Sequence, residues 1–156
     1  MKKCVIFVCS GNTCRSPMAE YLLKSAVRKA GIADKFNIGS VGIATSEKFP
    51  ATTLAINAMK DFSPDISNHS TRLATQKIFD SADVIFCLTE EHKKFVLSNF
   101  KKVEKKSFLL KEFLNCENKD IADPFFGNSK DYERVRDEIN SAMDSILKFL
   151  TDWNET

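Results

Sequence analysis

The chain has 156 residues, 43% hydrophobic and 28% charged, which suits one folded domain with a sizeable core. Its formal net charge of +2 argues against a nucleic-acid or membrane partner, either of which calls for a concentrated basic face. Five cysteines (Cys4, Cys9, Cys14, Cys87 and Cys116) form no CxxC pair, and the apolar run after Lys3 is too short for an export signal or a membrane span. A reduced, cytoplasmic chain is expected. Neither histidine, His69 or His92, has a cysteine at zinc-ligand spacing, so no metal or other cofactor is expected.

Residues 4–9 read as a buried strand that ends on Cys9. A short glycine loop leads to a helix over 17–30. Pro17 suits its first turn, Gly31 its stop, and Ala19, Leu22, Ala26 and Ala30 form its apolar side. A second strand is expected over 36–41. A helix over 51–59 follows, with Leu54, Ala55 and Ala58 facing the core, and then a loop over 61–70. Residues 82–88 (ADVIFCL) form the most continuous apolar strand, followed by a Thr89 cap, two acids and a helix to about 99. The lysine-rich KKVEKK stretch reads as solvated loop, and residues 107–110 as a fourth strand. From 131 to 150, Val135, Ile139, Met143, Ile146 and Phe149 recur at helical spacing and predict one long helix. Strands alternating with helices predict a single α/β domain with a four-stranded parallel sheet and helices on both faces. Ligands of such sheets bind beyond the carboxyl ends of the strands, where Cys9 lies and where Asp123 can reach.

The stretch CSGNTCRS, from Cys9 to Ser16, has the chemistry of a phosphate cradle placed directly after the first strand. A five-residue loop, Ser10, Gly11, Asn12, Thr13 and Cys14, can turn several backbone N–H groups toward an anion. Gly11 permits the wrap, and Asn12 tolerates a left-handed backbone. Arg15 offers a planar fork to two phosphate oxygens, and the helix beginning near Ser16 adds its positive end. The same surroundings favour a thiolate. A free cysteine titrates near ~8.5, and a helix N-terminus with a nearby cation brings this to roughly 3.5–7.5. Ser16 can donate its hydroxyl to that sulfur. The loop is not a nucleotide-binding P-loop, which needs a lysine and a second glycine. A thiolate nucleophile also needs a general acid opposite it, and Asp123 in IADPFFG is the candidate, with Phe125 and Phe126 to wall the pocket.

VCSGNTCRSPMAE resembles the signature of the low-molecular-weight protein-tyrosine phosphatases, and the likeness covers most of the chain: Ser40 after the second strand region, His69 in the middle loop, LTEEH, then DPFFG. The resemblance implies a phosphorylated protein as substrate and a metal-free mechanism. Cys9 is then the nucleophile, Arg15 the phosphate ligand and Asp123 the acid and later the base, with Asn12, Ser40 and His69 fixing the loop. His92 reads as a first-turn helix residue without a catalytic part. Threonine at position 13 resembles the bacterial branch that includes protein-arginine phosphatases, whose members carry glycine where this chain has Phe126. Two successive aromatics suit a phenyl ring, so phosphotyrosine is the expected substrate and phosphoarginine the alternative. Arsenate reduction on the same fold is a more distant one, because no close cysteine pair follows Cys87. Cys14 shares the loop with Cys9, and oxidation is expected to close a reversible bridge between them.

Overall fold

Strand β1 (Lys3–Cys9) runs through the middle of the sheet, with Val5, Phe7 and Cys9 facing one layer of core and Ile6 and Val8 the other. The computed structural model describes residues 1–62 and 64–154. Strands β2 (Phe36–Gly42), β3 (Val84–Cys87) and β4 (Ser107–Leu109) complete a four-stranded sheet in the order β2-β1-β3-β4. All pairings are parallel. The register sets Cys9 opposite Gly42 and Val8 opposite Cys87, so the carboxyl ends of β1, β2 and β3 meet at one rim.

Helices α1 (Arg15–Lys29), α2 (Thr53–Met59), α5 (Ser129–Ser141) and α6 (Met143–Asn154) cover the Phe7 face of the sheet. Helices α3 (Gln76–Ser81) and α4 (Glu90–Asn99) cover the Val8 face, through residues such as Phe79 and Val96. Strands buried on both faces explain the near-continuous apolar runs of β1 and β3. The chain is a single α/β domain with helices on both sides of a parallel sheet, as expected.

Several boundaries differ from the sequence expectation. Helix α1 begins at Arg15, within a residue of the start expected near Ser16 and two before the apolar pattern from Pro17, because the loop after β1 turns directly into it. Its buried side is Met18, Ala19, Leu22, Leu23 and Val27, while Ala30 is exposed. The helix stops as expected at Gly31, whose φ of 72° lets its N–H reach the Arg28 carbonyl while Ile32 N–H reaches that of Val27. Helix α3 went unpredicted: six residues capped by Thr75 are too few to show a period. The long helix expected over 131–150 is two helices. At Ala142 the backbone N–H bonds to the Ile139 carbonyl, one residue tighter than α-helical, before α6 starts. The apolar stripe runs through the break, with Val135, Ile139, Met143 and Ile146 all buried. The 61–70 segment carries a short 3₁₀ turn at Lys60–Phe62, and Ser63 within it lies outside the described residues.

Candidate active site

The loop between β1 and α1 closes around a cavity of about 200 Å³ at the sheet rim. Every position from Cys9 to Arg15 lines it, together with Ala44, Asp123 and Phe125. Two constraints hold the loop in this shape. Asn12 takes a left-handed backbone, φ 58°, and is wholly buried. Gly42 in β2 lies so close that an added Cβ would stand 2.6 Å from the Ser10 carbonyl oxygen. A side chain at position 42 would therefore push the loop outward.

Asn12 is the hub. Its side-chain amide donates to Ser16 Oγ at 2.8 Å and to Ser40 Oγ at 2.9 Å, and its Oδ1 accepts from the Arg72 backbone N–H at 2.9 Å. Its own carbonyl oxygen lies 2.7 Å from His69 Nε2. Ser40 Oγ donates onward to Glu20 Oε1 at 2.6 Å, and Lys24 pairs with the other carboxylate oxygen. All of these groups but Lys24 and Arg72 are buried, so each polar atom needs its partner. The structure thus brings Asn12, Ser40 and His69 together as one network under the loop. Burial holds the His69 imidazole below its usual range, partly offset by its bond to the Asn12 carbonyl.

Cys9 Sγ accepts from the Asn12 backbone N–H at 3.3 Å and lies 2.9 Å from Ser16 Oγ. Burial pushes the Cys9 thiol up, while Ser16, Arg15 and the Asn12 amide pull it down. Burial outweighs these three, so the Cys9 thiol lies above its ordinary value and not below it as the sequence suggests: the desolvation of the sulfur is a cost that only the folded site reveals. Cys14 Sγ faces away to Tyr132 Oη at 3.3 Å and Thr52 Oγ1 at 3.7 Å, and both loop cysteines are free thiols. Arg15 donates through one terminal nitrogen to the Ile121 carbonyl at 2.9 Å. Its other terminal nitrogen lies 3.5 Å from Asp123 Oδ2. The guanidinium is buried and the Asp123 side chain is 53% exposed. Asp123 Oδ1 accepts from the Phe125 N–H at 3.1 Å, which fixes the Asp123 loop from within.

Phe125 lines the cavity, but Phe126 does not. The residue is 97% exposed, and its ring meets Phe125 edge-on, with ring centroids 4.9 Å apart. Sequence reasoning missed Ala44, which is placed by its backbone N–H on the Ser10 carbonyl at 3.0 Å. It also missed His92. That residue is indeed in the first turn of α4, yet it is buried and its Nε2 lies 2.9 Å from Ser10 Oγ. No sequence signal marks a contact between residues 82 positions apart.

Burial and the nearby Arg15 push His92 down to about 4 from an ordinary 6.5. Between those values the unfolded chain binds a proton that the folded chain refuses, so stability falls as pH drops through that window. The loss reaches at most about 3 kcal/mol by pH 4. Urea unfolding at pH 7 and pH 4.5 is expected to show a smaller acid loss in His92→Gln than in the wild type. Equal losses would refute it.

A parallel α/β sheet with a Cys–x5–Arg loop between its central strand and the next helix defines a class of phosphate-handling proteins. The chain belongs to one family within it, described as low molecular weight phosphotyrosine protein phosphatase, whose model matches residues 4–154. The protein-arginine phosphatase of Bacillus subtilis is 37% identical, over 94% of this chain and 95% of that protein. Arsenate reductase 1 of Staphylococcus epidermidis is 31% identical, over 93% and 96%. Among solved structures, the low molecular weight protein tyrosine phosphatase from T. tengcongensis superposes with a TM-score of 0.88 at 30% identity, covering 94% of this chain and 99% of that one.

Proposed function

We propose that this chain is a protein-arginine phosphatase acting through a phosphocysteine. This revises the phosphotyrosine expectation. The observation that carries it is the pocket wall: Thr13 lines the cavity, and Phe126, whose ring argued for a phenyl substrate, stands outside it. The Thr13 hydroxyl, 3.6 Å from Cys14 Sγ, gives the cavity wall an oxygen to which a guanidinium can donate. The similarity to a protein-arginine phosphatase over nearly the whole chain supports the same substrate.

In this reading the Cys9 sulfur attacks phosphorus and the P–N bond breaks, while Asp123 gives its proton to the leaving guanidine nitrogen. Asp123 then takes a proton from water, whose oxygen attacks the phosphocysteine. The S–P bond breaks, phosphate leaves and the thiolate is restored. Arg15 and the inward loop amides hold the phosphoryl oxygens throughout. The partners are phosphorylated proteins. Arsenate reduction fits less well: Cys87 is buried at the end of β3 and Cys116 lies exposed beyond β4, too scattered to suggest a relay.

Phosphoarginine and phosphotyrosine peptides compared on the purified protein test the substrate. The wild type is expected to favour phosphoarginine in kcat/KM by about tenfold or more, and Thr13→Ile to reverse the order. A wild type that prefers phosphotyrosine, with Thr13→Ile indifferent, would overturn the arginine reading and restore the tyrosine one, which the Phe125 wall favours.

A further inference from the structure

We infer that His92 is a positioning residue which turns the Ser10 hydroxyl into a side-chain donor for the phosphoryl group held in the loop. This rests on the reading of the cavity as a phosphoryl site, and on no choice between arginine and tyrosine. His92 Nε2 lies 2.9 Å from Ser10 Oγ. Its Nδ1 is buried and has no hydrogen-bond partner among the described residues.

That asymmetry decides the tautomer. A proton on Nδ1 would bury a donor with nothing to accept it, a rare arrangement in folded proteins. A proton on Nε2 leaves only a lone pair without a partner, the milder deficit. The imidazole therefore donates from Nε2, and Ser10 Oγ accepts. Burial and Arg15 keep the ring neutral at pH 7, although Asp120 and Asp123 act in the opposite sense.

With its oxygen engaged by His92, Ser10 has one proton left to donate, and the ring has no acceptor free on that side. The Ser10 carbonyl is already taken by the Ala44 N–H. Ser10 lines the cavity, so a phosphoryl oxygen there can accept that proton. The ring is held to the task by its helix. Thr89 Oγ1 accepts from the His92 N–H at 3.1 Å, and Asp120 accepts from the Glu90 N–H at 2.8 Å. The first turn of α4 thus ties the phosphate loop to the segment that leads to Asp123.

The test has two arms, on the full chain. The first measures the Kd for inorganic phosphate, and kcat and KM for p-nitrophenyl phosphate, in wild type, Ser10→Ala, His92→Leu, the double variant and His92→Gln. Each single loss is expected to weaken phosphate binding and kcat/KM by about tenfold, with the double variant no worse than either. His92→Gln, whose amide N–H reaches the same hydroxyl, is expected to recover most of the loss. Additive losses, or unchanged phosphate binding in Ser10→Ala, would overturn the proposal. The second arm reads the His92 ring by ¹⁵N NMR at pH 7 and needs no variant or turnover. An unprotonated Nδ1 supports the assignment, and a protonated one defeats it. A wild type that binds phosphate but turns over no phosphorylated substrate would defeat the phosphatase reading instead. The phosphate series and the ring tautomer would then still judge Ser10 and His92.

Discussion

Cys9→Ser is expected to abolish turnover, by about 10⁴-fold or more, while leaving phosphate binding in place. A thiol gives up its proton far more readily than an alcohol, and its sulfur can both attack phosphorus and leave again from the phosphocysteine. A serine hydroxyl holds its proton far more tightly, and no histidine sits beside it as a base: His69 contacts the Asn12 carbonyl, and His92 contacts Ser10. The cradle does not depend on sulfur. Asn12 keeps its bonds to Ser16, Ser40 and Arg72, and Arg15 keeps its bond to the Ile121 carbonyl. Steady-state assay and calorimetric titration with phosphate separate the two outcomes. Persistent turnover in Cys9→Ser would remove the nucleophile assignment.

Asp123→Ala is expected to cost about 10²–10⁴-fold on poor leaving groups and far less on activated phenols. The guanidine leaving from phosphoarginine is strongly basic, more so than tyrosine's phenol, which titrates at about 10. Both leave badly without a proton. Nitrophenolate leaves readily, so its loss should be smallest. The geometry supplies the placement: Asp123 lies at the cavity wall, 3.5 Å from the Arg15 guanidinium that would grip the phosphoryl oxygens. A plot of log kcat/KM against leaving-group pKa should steepen in the variant. Parallel plots for variant and wild type would speak against proton donation by Asp123.

The parts of this fold legible in the sequence were those carried by local chemistry. The β-branched run into Cys9, the glycine stop at Gly31 and the Thr89 cap each appear where short-range rules put them. The Cys–x5–Arg spacing placed the loop because strand, wrap and helix are contiguous. What failed was local structure too short to show a period, as in α3, or decided by one hydrogen bond, as at Ala142. At the site, residues reached through the fold were invisible. Ala44 enters by its backbone alone, and His92 arrives from another strand end. Phe126 shows the converse: the residue type suggested a wall, and the turn at Pro124–Gly127 aimed it at solvent.

Asn12 has a consequence for how fast and how tightly this loop takes its ligands. Fixing one residue's backbone costs roughly 1–2 kcal/mol, so a five-residue loop that ordered only on binding would forfeit several kcal/mol of affinity. Here a buried side chain, bonded to α1, β2 and the Arg72 backbone, has frozen the wrap during folding. Association with a phosphorylated partner is then limited by encounter and dehydration rather than by rearrangement of the chain, and the residence time of each ligand becomes the quantity that distinguishes one from another.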